Sequence, residues 1–119
     1  MTDILFQFTP NELNKIVYQI QKHEKEYMES KDAYEILDDS AKDVLASIKA
    51  KISSSSDVSD AKSEMLARAS NDWKSYKEKL YEAKKKQTQD SLNYKHSLRV
   101  MEVLISGMSF EKEKLKRGI

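Results

Sequence analysis

Apolar side chains recur at heptad spacing along most of this chain. One row runs through Leu13, Ile20, Tyr27, Tyr34, Ala41 and Ile48, and a second, three residues on, through Ile16, His23, Ser30, Leu37, Val44 and Lys51. Rows spaced three and four residues apart share one face of an α-helix, so the pattern predicts a long helix with a coiled-coil-like seam whose second row is half polar. Its start is marked. Thr9-Pro10-Asn11-Glu12 reads as a capping box with proline at the first helical position, and Phe8 and Leu13 flank it as a hydrophobic staple. The first helix is therefore expected over residues 10–52, behind an N-terminal arm of residues 1–9.

Ser53-Ser54-Ser55-Ser56-Asp57 interrupts the pattern. Serine side chains compete with the helix for backbone groups, and Ser56 or Asp57 is placed to cap a second helix, so residues 53–57 read as a loop. That second helix is expected over residues 58–107, with rows through Leu66, Trp73, Leu80, Gln87, Tyr94, Met101 and Met108 and through Ala69, Tyr76, Ala83, Asp90, Ser97 and Leu104. Gly107 is read as its terminator, and residues 109–117 as one more short helix. The fold expected is all-α, a single domain built as a long antiparallel helical hairpin with a short C-terminal helix.

A hairpin turning near residue 55 sets Ile48 near Lys62 and Met65, Ala41 against Ala69, Tyr34 against Tyr76 and Tyr27 against Ala83. The polar exceptions then fall at one level. His23, Gln87 and Asp90 are expected near one another as a polar core layer that fixes register, since nothing beside them supplies a nucleophile or a pocket. The hairpin also leaves residues over. Leu98, Met101, Leu104, Ile105, Met108 and Phe110 belong to the most hydrophobic window of the chain, beyond the reach of the first helix. A two-helix hairpin buries one face of each helix, which is little for a chain this slim, so this window is read as the contact between copies in a homo-oligomer. Ile4, Leu5, Phe6 and Phe8 of the arm are the other apolar group that could meet it.

Composition narrows the chemistry. Among 119 residues there are two Gly and no Cys, too few glycines for a phosphate loop or a dinucleotide-binding turn, and no thiolate for catalysis or zinc. The two histidines, His23 and His96, are too far apart in sequence for a His-Glu-x-x-His site, and no calcium loop is present. Catalysis, cofactors and metals are not expected. The mean hydropathy of −0.75 leaves no membrane span, and the acidic start MTDILFQFTP lacks the charge of an export signal, so a cytoplasmic location is expected.

Charge is uneven. Residues 1–60 hold 12 acids and 7 bases, whereas residues 61–119 hold 8 acids and 14 bases. The excess is concentrated in Lys74, Lys77, Lys79, Lys84, Lys85 and Lys86, opposed there only by Glu78 and Glu82. Lys74, Lys77, Lys84 and Lys85 share the helix flank that shows Tyr81. Cations along a helix with an aromatic among them suit a nucleic-acid backbone and base stacking, so Lys74, Lys77, Tyr81, Lys84, Lys85 and Lys86 are the candidate DNA-binding residues. The plainer reading is a solvated face tied up in Glu–Lys pairs one turn apart. Trp73 and Tyr76 lie on the seam and are assigned to packing. No groove-reading motif is visible, so any nucleic-acid binding should be independent of sequence and sensitive to salt.

Lys62-Ser63-Glu64-Met65, followed by Ser70, Asp72 and Lys74, resembles the UvsY-type recombination mediators of phages, in which a similar stretch leads into a long helix with an apolar, oligomer-forming end. Here that end corresponds to Met101–Phe110, and Lys49-Ala50-Lys51 before a small polar loop is also similar. The spacing between the two segments differs from the family's, which touches register and oligomer number. The resemblance implies a non-catalytic mediator that assembles into rings, binds single-stranded DNA and helps a RecA-like recombinase displace single-strand-binding protein in the host cytoplasm. The competing reading is a structural or protein–protein interaction hairpin, such as a phage scaffold or adaptor, with no nucleic-acid role.

Overall fold

The computed structural model describes the backbone of residues 10–116 and the side chains of residues 10–108. The described chain is an all-α helical hairpin: α1 spans Pro10–Ser55, α2 spans Asp60–Ala69 and α3 spans Asn71–Lys116, with no strand among the described residues. The capping and staple residues Thr9 and Phe8 lie outside that range. The helix does start at Pro10, where the missing N–H needs no partner, with Glu12 in its first turn.

The heptad rows of α1 face inward. Every member from Leu13 to Ile48 is half-buried or buried, and only Lys51 is exposed. In α3 the rows hold from Trp73 to Leu104. Enclosure is shallow, however. Ile48 and Ala67 are the only buried apolar residues described, whereas Ser30, Ser63, Asp90 and Ser97 are buried polar ones.

The serine run does not break α1 where the pattern suggests. Ser54 and Ser55 donate their hydroxyls to the Lys51 carbonyl at 3.0 Å, and Ser56 donates to the Ile52 carbonyl at 3.0 Å. These bonds satisfy carbonyls that a helix end would leave open, so α1 continues to Ser55 and the turn is Ser56–Ser59. The cap of α2 is Ser59, with φ −64° and ψ 160°, rather than Ser56 or Asp57; its hydroxyl accepts from the Lys62 N–H at 3.2 Å.

The long second helix expected over residues 58–107 is two helices. Ser70 separates them in an extended conformation, φ −69° and ψ 153°. It closes α2 by donating its hydroxyl to the Ala67 carbonyl at 2.6 Å and opens α3 by accepting from the Trp73 N–H at 3.2 Å. The break shifts the inward face of α2 to Ser63 and Ala67, leaving Leu66 and Ala69 exposed. At the other end Gly107 is no terminator. It is buried inside α3, which continues to Lys116, so residues 109–116 extend α3 instead of forming a separate helix. One glycine costs a helix interior about 1 kcal/mol, too little to end a helix of 46 residues at a buried position where a side chain would need room.

Two compact units are distinguished, and both long helices pass through both. The first joins α1 up to Met28 with α3 from Gln89 onward. The second is Glu29–Thr88 and contains α2. In the first, Tyr27 stacks on Tyr94 with ring centroids 6.2 Å apart. The expected partner was Ala83, about three helical turns earlier. In the second, the Tyr76 hydroxyl donates to the Leu37 carbonyl, and Ala69 is exposed instead of facing Ala41. The physical cause is α2, which diverts chain from the α1–α3 pairing and packs on the end of α1. Ser53 donates to Ser63 at 2.9 Å, Ser63 donates to the Ser59 carbonyl at 3.1 Å, and the Lys49 ammonium meets the Asp60 carboxylate at 2.9 Å.

Candidate nucleic-acid interface

Helix α3 carries the basic run, and its first turns hold that run in place. Trp73 and Tyr76 are half-buried on the seam, stacked with ring centroids 5.7 Å apart and planes 12° from parallel. With the Tyr76 hydroxyl fixed on α1, both rings belong to packing. A rotation of 100° per residue then turns Lys74, Lys77, Tyr81, Lys84 and Lys85 to one outward flank of α3, and Lys79 and Lys86 to the other side. All of these residues are exposed, Tyr81 by 64%.

The expected Glu–Lys pairing is largely missing. The ion pairs found are Lys49–Asp60 and Glu64–Arg68, with His23 Nδ1 3.9 Å from the Glu26 carboxylate, and none of these contacts engages Lys74, Lys77, Lys84 or Lys85 among the described residues. Lys86 does make an interaction within the described chain. Four unpaired ammoniums around an exposed ring can meet phosphates and a base face without first breaking a bond of their own.

A groove opens between α1 and α3 in the same unit, with a volume of about 450 Å³. Lys51, the polar member of the α1 seam, lines it together with Lys79, Ser47, Ser75 and Asp72, and Val44, Ile48 and Tyr76 supply the apolar part. The heptad pattern does not foretell this groove. Its one signal in the sequence is a lysine at a heptad position.

The polar layer is not assembled as expected. In the first unit Tyr94 stands against Tyr27, so His23, one turn before Tyr27, shares a cavity of about 270 Å³ with His96, Ser97 and Val100. Asp90 lies one turn to the other side of Tyr94 and is buried, with an interaction of its own. Gln87 is half-buried and belongs to the second unit. His23 Nδ1 is buried without a hydrogen bond; the Glu26 carboxylate, at 3.9 Å, is beyond hydrogen-bond range.

Of the residues assigned to contact between copies, Leu98, Ile105 and Met108 are 37%, 55% and 40% exposed. Met101 and Leu104 are half-buried on the inward rows, and the Phe110 side chain lies outside the described ones. Val17, Tyr18, Leu92 and Val103 of the same unit are exposed as well. The signal for Val17 and Tyr18 was the run Ile16-Val17-Tyr18, because three consecutive apolar residues cannot share one seam.

Lys62-Ser63-Glu64-Met65 has a structural part in this chain. It forms the first turns of α2: the Lys62 N–H meets the cap, Ser63 is buried, Glu64 pairs with Arg68 at 3.4 Å and Met65 is exposed. No group of three His, Asp or Glu side chains able to hold a metal ion occurs among the described residues, and no described helix is long and apolar enough to cross a membrane. The chain matches no protein-family model, no curated protein and no solved structure.

Proposed function

We propose that the chain binds single-stranded DNA through its phosphate backbone, without base preference, along the outward flank of α3, and self-associates through the apolar end of that helix. The observation that carries this reading is the set of unpaired ammoniums, Lys74, Lys77, Lys84 and Lys85, around exposed Tyr81. Each phosphate contact is weak, and copies joined side by side multiply such contacts through effective concentration. Shallow enclosure supports the second half. A hairpin with so few buried apolar residues gains stability by covering Leu98, Ile105 and Met108 with a neighbour. The resemblance of Lys62-Ser63-Glu64-Met65 and the apolar end to UvsY-type mediators supports a role in recombination, that of a non-catalytic helper in loading a RecA-like recombinase.

Salt dependence tests the DNA half. Four phosphate contacts on a single strand predict a log–log slope of about −3 against salt concentration. Replacing Lys84, Lys85 and Lys86 by Glu should abolish binding of an oligothymidine with helicity retained. Undiminished binding by that variant overturns the assignment of the flank.

The second reading is a structural hairpin that assembles without nucleic acid. The exposed apolar residues of the first unit favour it. It predicts self-association together with indifference to oligothymidine at low salt.

A further inference from the structure

We propose that the groove lined by Lys51 and Lys79 is a phosphate notch that anchors one nucleotide of the bound strand, an inference that rests on the single-stranded DNA reading above. Lys51 comes from α1 and Lys79 from α3, so the two ammoniums stand on separate walls of one groove. A lysine in the seam would ordinarily weaken packing; here Lys51 is exposed and borders open volume. Neither lysine is ion-paired among the described residues, even though the Asp72 carboxylate lines the same groove. Two ammoniums against one carboxylate leave a local excess of one positive charge, which the single charge of a phosphodiester balances.

The hydroxyls point the same way. The serines at 53–56, 59, 63, 70 and 97 all spend their side chains on hydrogen bonds within the chain. Ser47 and Ser75, like Ser40, Ser91 and Ser106, make none among the described residues, and these two line the groove. They are therefore free to donate to phosphate oxygens between the two lysines. Val44, Ile48 and the ring of Tyr76, whose hydroxyl is held by α1, give the sugar and base an apolar wall. A volume of about 450 Å³ falls within the range of small-ligand sites and admits a mononucleotide. The notch opens on the side of α3 away from Tyr81, so it grips the strand at a point the flank lysines do not reach.

The test uses the full chain with thymidine 5′-monophosphate, thymidine and an oligothymidine as probes. Backbone amide shifts of Ser47, Lys51, Ser75 and Lys79 should move with the monophosphate and stay in place with thymidine. The Lys51→Gln, Lys79→Gln double variant should lose that response and, with one phosphate no longer held, lower the salt slope for the oligothymidine by about 0.7. Lys51→Arg with Lys79→Arg should retain both. Absence of a monophosphate response, or equal movement with thymidine, overturns the notch while leaving the flank intact. A monophosphate response in a protein that does not bind the oligothymidine overturns the flank reading and the anchoring role, and leaves a site for small phosphates.

Discussion

Ser63 shows how much one small residue holds here. It is fully enclosed, accepts from Ser53 and donates to the Ser59 carbonyl, tying α2 to both the end of α1 and the turn. Ser63→Ala removes this bridge, while Ser53 and Ser59 stay open to water and the Ser59 carbonyl keeps the Ser63 N–H, so unfolding in urea should show a loss of about 1 kcal/mol. Lys49 is the other tie. The hydrogen-bonding Asp60 carboxylate, with Glu64 behind it, raises the Lys49 ammonium above the ordinary lysine value of 10.5. A raised folded-state value means that the contribution is complete below the unfolded pKa and is lost as pH climbs through the folded one. Melting temperatures of the native chain and Asp60→Asn should therefore differ at pH 8 and converge once pH passes the lysine range. A gap that persists in strong alkali overturns the role of that ammonium.

At the scale of elements, the break at Ser70 decides the register. Its hydroxyl serves the last turn of α2 and the first of α3 at once. Ser70→Ala removes both bonds, and a cost of about 1 kcal/mol is expected from loss of the cap alone. The bend is then held only by the ties at Ser63 and Lys49, so amide exchange in Asp60–Ala69 should quicken more than elsewhere in Glu29–Thr88. This is also where the sequence was hardest to read. The seam from Leu13 to Ile48 and from Trp73 to Leu104 was legible because its period is carried by bulky side chains. The break was not, because Ser70 lies in a stretch with no Gly or Pro. Ser54–Ser56 misled in the opposite direction, since hydroxyls that compete with a helix interior can also satisfy its last carbonyls. The outward flank of Lys74, Lys77, Lys84 and Lys85 needs only helical rotation and was legible. The groove at Lys51 and Lys79 depends on the α1–α3 register, which α2 conceals.

For the whole molecule, the question is which apolar residues serve the hairpin and which it leaves uncovered. Met101 and Leu104 face inward, whereas Leu98 and Ile105 are exposed on α3. Leu98→Asp with Ile105→Asp should reduce the mass in solution to that of one chain while helicity stays. Met101→Asp with Leu104→Asp should instead lower the melting temperature. Sedimentation and circular dichroism on the two variants separate these effects, and an unchanged mass for the first pair overturns self-association through this face. The aromatic pairs carry one more consequence. Trp73 is the sole tryptophan, seated beside the Ser70 cap in the second unit, while Tyr27 and Tyr94 mark the first. Indole fluorescence is thus a local gauge of one half of the hairpin, and a melt followed by emission need not trace the same curve as one followed by ellipticity.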